Sequence, residues 1–222
     1  MPEAGRDGQR LELPADEAQH LVRVLRLGPG AAVRVFDGRG HEWDATICAV
    51  SRQGVAVELA AQRTPIGETR VRYTLAAAVL KGDGTDLVVR DAVMLGVSAI
   101  RPFVSARAEV TRTMLARGHR RERWERVAAA SAKQCGRAVV PVIHEVADLA
   151  TLLDADAEAL RLLREEPAAK ADGVTPGQVA APTAVSLAVG PEGGWTPGEV
   201  AQAVEAGWRP LRVGGRVLRA TA

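Results

Sequence analysis

The stretch AVGPEGGWTPGEV, residues 188–200, decides the fold of the second half of the chain. An apolar run stops at a glycine, and the chain then turns through the sequence Pro-Glu-Gly-Gly. Thr196 and Glu199 have the spacing of a capping box, with Pro197 at the first helical position. The pattern predicts a buried strand, a glycine turn, and a helix that begins at Pro197 and ends at Gly207.

The glycines of this turn would lie at the carboxyl end of a strand, where open α/β sheets bind ligands. Their spacing, G-x-x-G-G over residues 190–194, is neither a dinucleotide nor a phosphate-loop motif. Glu192 would repel a phosphate, so a ligand with an adenosine and a cationic centre suits the loop better than a polyphosphate. A plain turn explains the same glycines equally well, and both interpretations stay open at this point.

A second glycine loop follows in PLRVGGRVLRATA, residues 210–222. Two glycine loops at neighbouring strand ends favour a ligand cleft over two unrelated turns. A Gly-Gly turn before a terminal strand remains the simpler alternative.

From residue 70 onward, apolar runs alternate with helical patterns, which is typical of an α/β domain with a mainly parallel sheet. Strands are predicted in VRYTLAAAVL, AIRPFVS, AVVPVIHEV, EALRLLREE and TAVSLAVG. Helices are predicted in TDLVVRDAVML, with Leu87, Val88, Val93 and Leu95 inward and Gly96 as its stop, and in RERWERVAAASAKQC. A polar segment rich in Pro and Gly, residues 167–182, is predicted to be a loop.

The first 65 residues have a different pattern. The segment PADEAQHLVRVLRL predicts a helix with Ala18, Leu21, Val22 and Leu25 on one stripe. A strand, an Asp-Gly turn and a second strand follow in residues 31–50, with a third strand after them. We interpret residues 1–67 as a small β-barrel, QRTPIGETR as the linker, and 70–222 as the second domain.

Composition excludes several classes of protein. The chain has 222 residues, of which 47% are hydrophobic, so it can bury a full core. No apolar run approaches the roughly 20 residues of a membrane span, and the polar N-terminus lacks a signal-peptide pattern. Cys48 and Cys135 are isolated and belong to no metal-ligand spacing. We therefore expect a cytoplasmic protein with no metal and no membrane partner.

Four segments together resemble one family. The segments HLVRVLRLGPGAAVRVFDG, SAKQCGRAVVPVI, VGPEGGWTPGEV and VGGRVLRATA occur in the order seen in the RsmE family. Those enzymes are methyltransferases of the SPOUT class that modify N3 of a uridine in 16S ribosomal RNA. The resemblance implies a PUA-like RNA-binding barrel, then an α/β domain with a C-terminal trefoil knot that forms a homodimer.

The resemblance also implies the cofactor, S-adenosyl-L-methionine, and the residues that bind it. The first cofactor loop corresponds to Gly190, Pro191, Glu192, Gly193 and Gly194. The second corresponds to Val213, Gly214, Arg216, Val217, Leu218 and Arg219, with Leu218 packing on the adenine. Leu163, at the end of a predicted strand, matches a third position that lines the cofactor, although an apolar residue in a strand is more often part of the core.

The reaction needs little acid–base chemistry, because the sulfonium methyl is already a strong electrophile. The protein must hold the uridine and help N3 to lose its proton, which a nearby cation favours by stabilising the anion. Arg219 is the predicted catalytic residue, and a phosphate or dimer contact is the equal alternative. No general base is evident.

Contacts with RNA, on the 16S molecule or the small ribosomal subunit, have separate candidates. Arg23 and Arg26 lie three residues apart in a predicted helix and would share a face. Arg39 lies in the Asp-Gly turn, and Lys81 follows the first strand of the second domain. A further basic run, ARGHRRERWERV, contains two glutamates and is more typical of a solvated helix face.

The chain departs from the family pattern in ways that favour an alternative. Its last loop reads LRATA where the family has L-R-x-E-T-A, and Gly84 and Met94 replace a usual Lys and Glu. The chain ends at Ala222 without the family's final helix, which leads us to expect an incomplete knot and weaker cofactor binding. The first residues also lack the family's usual basic and aromatic opening strand. The alternative function is a catalytically silent RNA-binding relative.

Overall fold

A computed structural model describes residues 7–52, 54–110, 119–164 and 182–211. The chain divides into two compact units, the first comprising Met1–Gly67 with Gly136–Val139 and the second Glu68–Cys135 with Val140–Ala222. In the described residues, no helix is both long enough and apolar enough to cross a membrane.

The first unit is built on a four-stranded antiparallel sheet in the order β1-β4-β3-β2. Its strands are β1 Arg10–Glu12, β2 Ala32–Phe36, β3 Glu42–Val50 and β4 Val55–Arg63. The predicted hairpin is confirmed, and a short strand, β1, precedes it in the sequence. Among the described residues, no pairing of β1 with β2 closes this sheet into the expected barrel.

One face of this sheet carries the core of the first unit. Alternate side chains of β3 are buried, because successive residues of a strand point to opposite faces. In β4, Val55, Ala56, Val57 and Leu59 are buried. Ala18 and the partly buried Leu21 and Val22 pack against these strands from a helical segment. The core members are Ala18, Trp43, Ala45, Ile47, Val55, Val57 and Leu59.

The predicted first helix is shorter than its periodicity indicated. An α-helix, α1, spans Ala15–Gln19 and continues as a single π-helical segment, His20–Val24. Leu25 is 51% exposed rather than on the buried stripe. Arg26 has a left-handed backbone, with φ of 55°. Arg23 and Arg26 therefore do not share a helical face, and that prediction is wrong.

A short segment from later in the chain completes the first unit. The Gly40 N–H donates to the Ala138 carbonyl at 3.1 Å, and Arg39 forms an isolated antiparallel bridge with Val139. The first unit therefore includes residues 136–139 as well as the N-terminal segment, and a single boundary near residue 67 would assign those four residues to the second unit.

The second unit contains a seven-stranded parallel sheet, ordered β11-β9-β10-β5-β6-β7, with β8 also paired to β6. Its strands are β5 Arg72–Ala78, β6 Ala99–Val104, β7 Val142–Ile143, β8 Ala147–Asp148, β9 Leu160–Arg164, β10 Ala184–Val189 and β11 Arg209–Leu211. The prediction of a parallel α/β sheet is confirmed. The predicted strand 138–146 is reduced to the two residues of β7.

Helices cover both faces of this sheet, as a buried parallel sheet requires. On one face lie α2, Gly84–Met94, and α3, Arg120–Cys135. They share a hydrophobic core with Val79, Ile100 and Ile143 from the sheet and its strand ends. On the other lie α4, Leu149–Asp154, and α5, Pro197–Glu205, which pack with β-strand residues such as Phe103 and Leu163.

The helices α2 and α5 end where the sequence pattern predicts, but the side of α2 that is buried differs from the prediction. Gly96 and Gly207 follow the helices with φ of 91° and 86°, the left-handed region that glycine adopts at low cost. Leu87 and Leu95 of the α2 region are 41% and 82% exposed, so the prediction that they point inward is wrong. The buried positions are Thr85, Val89, Ala92 and Val93.

Candidate functional site at the carboxyl edge of the parallel sheet

The strand order places a topological switch point between β5 and β10. The chain leaves β5 through α2 toward β6 on one side, and leaves β10 through α5 toward β11 on the other. Those two helices cover opposite faces of the sheet. Open α/β sheets bind ligands outside the carboxyl ends of such strands. The loops that follow Ala78 and Val189 therefore border the favoured ligand position.

The loop after β10 is a tight turn that exposes backbone at its tip. Gly190 and Pro191 are buried, whereas Glu192 and Gly193 are exposed. The Gly194 N–H donates to the Pro191 carbonyl at 2.9 Å, and Gly194 has a φ of 68°. A Cβ at Gly190 would lie 3.0 Å from the Trp195 indole. The first glycine is required by close packing and the last by its backbone conformation.

Trp195 anchors the far side of this turn. Its indole N–H donates to the Arg164 carbonyl at 2.8 Å, at the end of β9. Its ring stacks on Phe103 of β6, with centroids 5.6 Å apart and an interplanar angle of 10°. The turn is thus tied to strands on both sides of it.

The segment that follows β6 braces the turn from a third direction. The Ala106 N–H donates to Glu199 Oε1 at 2.8 Å, and Arg107 Nη1 donates to the Gly193 carbonyl at 3.1 Å. A Cβ at Gly193 would lie 3.1 Å from the Arg107 Cβ and 3.2 Å from its carbonyl oxygen. Gly193 therefore permits a close approach between the two loops.

Glu199 joins this brace to the start of α5. The predicted capping box is confirmed, because the Thr196 N–H donates to Glu199 Oε2 at 2.8 Å and the Glu199 N–H to Thr196 Oγ1 at 3.2 Å. Burial alone would raise the pKa of Glu199, but hydrogen bonds from the Ala106 N–H and from Thr196 outweigh it, so the pKa lies below its ordinary value. The carboxylate is therefore a fixed, ionised anchor.

Lys81, a predicted RNA contact, lies in the loop after β5 and is paired. Its Nζ is 2.8 Å from Glu109 Oε2, although the side chain is 75% exposed. The hydrogen bond to Glu109 raises the pKa of Lys81, and the charge of Glu192 adds to the effect. The ion pair joins the loop after β5 to the segment after β6.

Leu163, the predicted third cofactor-lining residue, belongs to the core. Its side chain is fully buried and packs among the residues between the sheet and α4 and α5.

The predicted second cofactor loop and the predicted catalytic residue fall outside the described residues, and so does the predicted knot. These residues are Val213, Gly214, Arg216, Val217, Leu218 and Arg219.

The remaining RNA candidates lie on the surface of the first unit. Arg23 and Arg26 are exposed, with the apolar Val24 and Leu25 exposed between them. Arg39 is exposed in the β2–β3 turn, where its N–H donates to Asp37 Oδ1 at 2.7 Å. Burial alone would raise the pKa of Asp37, but hydrogen bonds from the His41 ring and from backbone N–H groups outweigh it and lower the pKa. The ionised Asp37 orders the turn that carries Arg39.

Two arginines of the basic run at the start of α3 are paired with carboxylates. Arg121 pairs with Glu125 at 3.0 Å and also with Glu145, and Arg123 pairs with Asp83 at 2.7 Å. This pairing agrees with the interpretation of the run as a solvated, ion-paired helix face.

Sequence reasoning missed Arg107 and Trp195, which hold the glycine turn. Neither residue carries a local motif, since each acts on a segment far away in the sequence. Within the described ranges, no group of three or more His, Cys, Asp or Glu side chains could hold a metal ion.

Two family models match the chain. The model described as an RNA methyltransferase domain matches residues 67–222, and the one described as an RNA methyltransferase PUA domain matches residues 13–60. Among curated relatives, the ribosomal RNA small subunit methyltransferase E of Synechocystis sp. is 32% identical, over 94% of this chain and 68% of that protein. The protein of the same name from Bacillus subtilis is 26% identical, over 93% of this chain and 83% of that protein.

Solved structures agree with these matches. A Legionella pneumophila methyltransferase in complex with the cofactor SAM superposes with a TM-score of 0.91 at 29% identity, over 99% of this chain and 90% of that one. The ribosomal RNA small subunit methyltransferase E of Neisseria gonorrhoeae, bound to S-adenosyl methionine, gives a TM-score of 0.88 at 30% identity, over 100% and 90%. The chain belongs to the ribosomal RNA small subunit methyltransferase E family, with a PUA domain followed by an RNA methyltransferase domain.

Proposed function

We propose that this protein transfers a methyl group from S-adenosyl-L-methionine to N3 of a uridine in 16S ribosomal RNA of the small subunit. One observation carries the proposal. The Gly190–Gly194 turn lies at the switch point of the parallel sheet, in a chain whose fold matches methyltransferases solved with the bound cofactor. The choice of uridine N3 rests on the family resemblance.

The residues at the carboxyl edge fit this cofactor. The tip of the turn is exposed at Glu192 and Gly193, and the absence of a side chain at Gly194 lets a ligand approach its backbone closely. The Glu192 carboxylate complements a cationic ligand and disfavours a polyphosphate. When bound, the cofactor supplies an electrophilic methyl group on a sulfonium centre.

The protein's own contribution is to bind and orient the target base and to stabilise the anion that forms when N3 releases its proton to water. Uridine N3–H is a weak acid, so a cation near the ring favours its anion. Arg219 remains our proposed residue for that role. Arg23, Arg26, Arg39 and Lys81 are proposed to contact the RNA backbone, and contacts of this kind position the substrate.

A methylation assay tests this function directly. Small-subunit RNA that lacks the modification is incubated with the protein and S-adenosyl-L-methionine, and its nucleosides are separated by liquid chromatography and mass spectrometry. We expect N3-methyluridine to appear with time. Methylation of a different nucleoside would contradict the proposed target, and no methylation at all would contradict the proposed activity.

One observation favours a catalytically silent RNA-binding relative as a second candidate. A Cβ at Gly84 would lie 2.9 Å from the Leu80 Cβ, so this backbone cannot carry the Lys that the family usually has there without a shift. Gly84 begins α2 beside Lys81, at the edge where the substrate would lie. Such a relative would bind RNA without needing the cofactor, so a titration with the cofactor separates the two functions.

The knotted C-terminal end, the homodimer, the cytoplasmic location and the domain limits 1–67 and 70–222 are further proposals. They are supported by the family resemblance, and the two matched domain models support the division.

A further inference from the structure

The peptide that joins Gly193 to Gly194 is the one in the glycine turn whose plane can rotate most easily. A glycine on each side leaves it without any Cβ that would restrict rotation. In an exposed turn such a peptide would sample more than one orientation, and the direction of its neighbouring backbone groups would vary with it. The tip of the turn is exposed at Gly193.

In this structure, both ends of that peptide are hydrogen-bonded. Its carbonyl oxygen, on Gly193, accepts from Arg107 Nη1 at 3.1 Å. Its N–H, on Gly194, donates to the Pro191 carbonyl at 2.9 Å. Rotation of the peptide plane would break both bonds together. The second bond is internal to the turn, whereas the first comes from a different loop.

The loop that carries Arg107 is itself held in place. The preceding residue, Ala106, donates its N–H to Glu199 Oε1 at 2.8 Å, and Glu199 is fixed by the capping box of α5. The Arg107 Cβ and carbonyl oxygen also lie close to the Gly193 backbone. Arg107 therefore reaches the Gly193 carbonyl from a backbone that is held in place.

We propose that Arg107 is a positioning residue, which locks the Gly193–Gly194 peptide and so holds the turn in the conformation that binds S-adenosyl-L-methionine. This inference rests on the proposed function for its ligand. Arg107 need not touch the cofactor. Its effect passes through the carbonyl of Gly193, and it preorganises the loop so that less ordering is needed on binding.

Two variants and two measurements test the proposal. Arg107→Ala removes the donor, and Arg107→Lys keeps a cation that can reach a carbonyl. Arg90→Ala is the matched control, because Arg90 is an exposed arginine of the same unit that pairs with its neighbour Asp91 at 2.8 Å. The first measurement is hydrogen exchange of the Gly194 amide without any ligand. The second is calorimetric titration with S-adenosyl-L-methionine.

For Arg107→Ala, we expect the Gly194 amide to exchange about tenfold faster and the cofactor dissociation constant to rise about tenfold, the effect of losing a charge-assisted hydrogen bond. Arg107→Lys should recover part of both effects, and Arg90→Ala should match the wild type.

Unchanged exchange at Gly194 in Arg107→Ala would overturn the proposal. So would a variant that loses RNA affinity while its Gly194 exchange and cofactor affinity stay normal, since Arg107 would then be an RNA contact. A wild-type protein that does not bind the cofactor would contradict the proposed function, and the exchange measurement would still decide the role of Arg107.

Discussion

At the scale of the residue, Glu199 shows how one side chain holds the site together. It is 6% exposed, accepts the Ala106 N–H, and closes the capping box at the start of α5. In Glu199→Gln the new amide donor would face a backbone donor, so we expect a loss of about 1–3 kcal/mol in the free energy of unfolding. Denaturant unfolding measures the loss. Glu205→Gln, an exposed change on the same helix, is the control and should have almost no effect.

The pH dependence of this effect has a definite sign. Because the folded-state pKa of Glu199 lies below its ordinary value of 4.5, its ionised form stabilises the fold above about pH 4.5. That stabilisation is lost as the pH falls through the lower, folded-state pKa. The difference in stability between the wild type and Glu199→Gln should therefore shrink on acidification. A difference that grows below pH 4.5 would show that the carboxylate is not the stabilising form.

Substitution of Gly193 should harm the protein, whereas substitution of Gly198 in the same segment should not. A Cβ at Gly193 meets Arg107 at 3.1 Å, whereas a Cβ at Gly198 meets nothing within 4 Å. We expect Gly193→Val to abolish binding of S-adenosyl-L-methionine while the first unit stays folded. Gly198→Ala, inside α5, should bind normally and gain about 0.5 kcal/mol in stability from its better helix propensity. Calorimetry and thermal unfolding provide both readouts, and unchanged affinity in Gly193→Val would contradict the assignment of the loop.

At the scale of the element, residues 20–27 do not form the regular α-helix that their hydrophobic periodicity predicts. The Leu25 N–H bonds to the His20 carbonyl and the Leu27 N–H to the Leu21 carbonyl, which widens the last turn and leads into the left-handed Arg26. Hydrophobic spacing predicts a helix but cannot reveal such an ending, because the ending depends on backbone bonds and not on side-chain pattern. Gly28 and Pro29, directly afterwards, are the local sign of a stop.

The exposed arginines of this segment give a test of RNA binding. The double variant Arg23→Ala/Arg26→Ala should weaken RNA binding and reduce the dependence of log affinity on log salt by about two charges. Fluorescence anisotropy at several salt concentrations measures the slope. Arg63→Ala, which removes an exposed arginine paired to Asp44 at 3.0 Å, should leave the slope almost unchanged. An equal slope in the double variant would show that the two arginines do not contact phosphates.

The elements that the sequence predicted well are those with strong local signals. The capping box at Thr196, the stop at Gly96 and the apolar run of β10 each form as expected. The six-residue α4 was missed because it is too short to show a period. Leu87 and Leu95 were placed on the wrong face because the buried stripe of α2 depends on how α3 packs against it, which no local pattern shows.

At the scale of the whole molecule, the order of the strands locates the site. Sequence motifs identified the glycine loop, but the switch point between β5 and β10 follows only from the strand order. The contact of Arg107 with Gly193 joins residues that are 86 positions apart, so it could not be predicted from local sequence. Long-range contacts of this kind are what the sequence alone leaves open.

The proposed homodimer belongs to the same scale. Light scattering after size-exclusion chromatography should give twice the mass of one chain at micromolar concentration. A mass equal to a single chain over the whole concentration range would contradict the proposal.

The central claim is that the glycine turn at the switch point binds S-adenosyl-L-methionine. The most direct test is calorimetric titration of the wild-type protein with that cofactor, in parallel with Gly193→Val. Our account predicts saturable binding to the wild type and none to the variant. Absence of binding to the wild type would contradict the methyltransferase function and favour a silent RNA-binding protein. Equal binding to both proteins would show that the cofactor lies elsewhere.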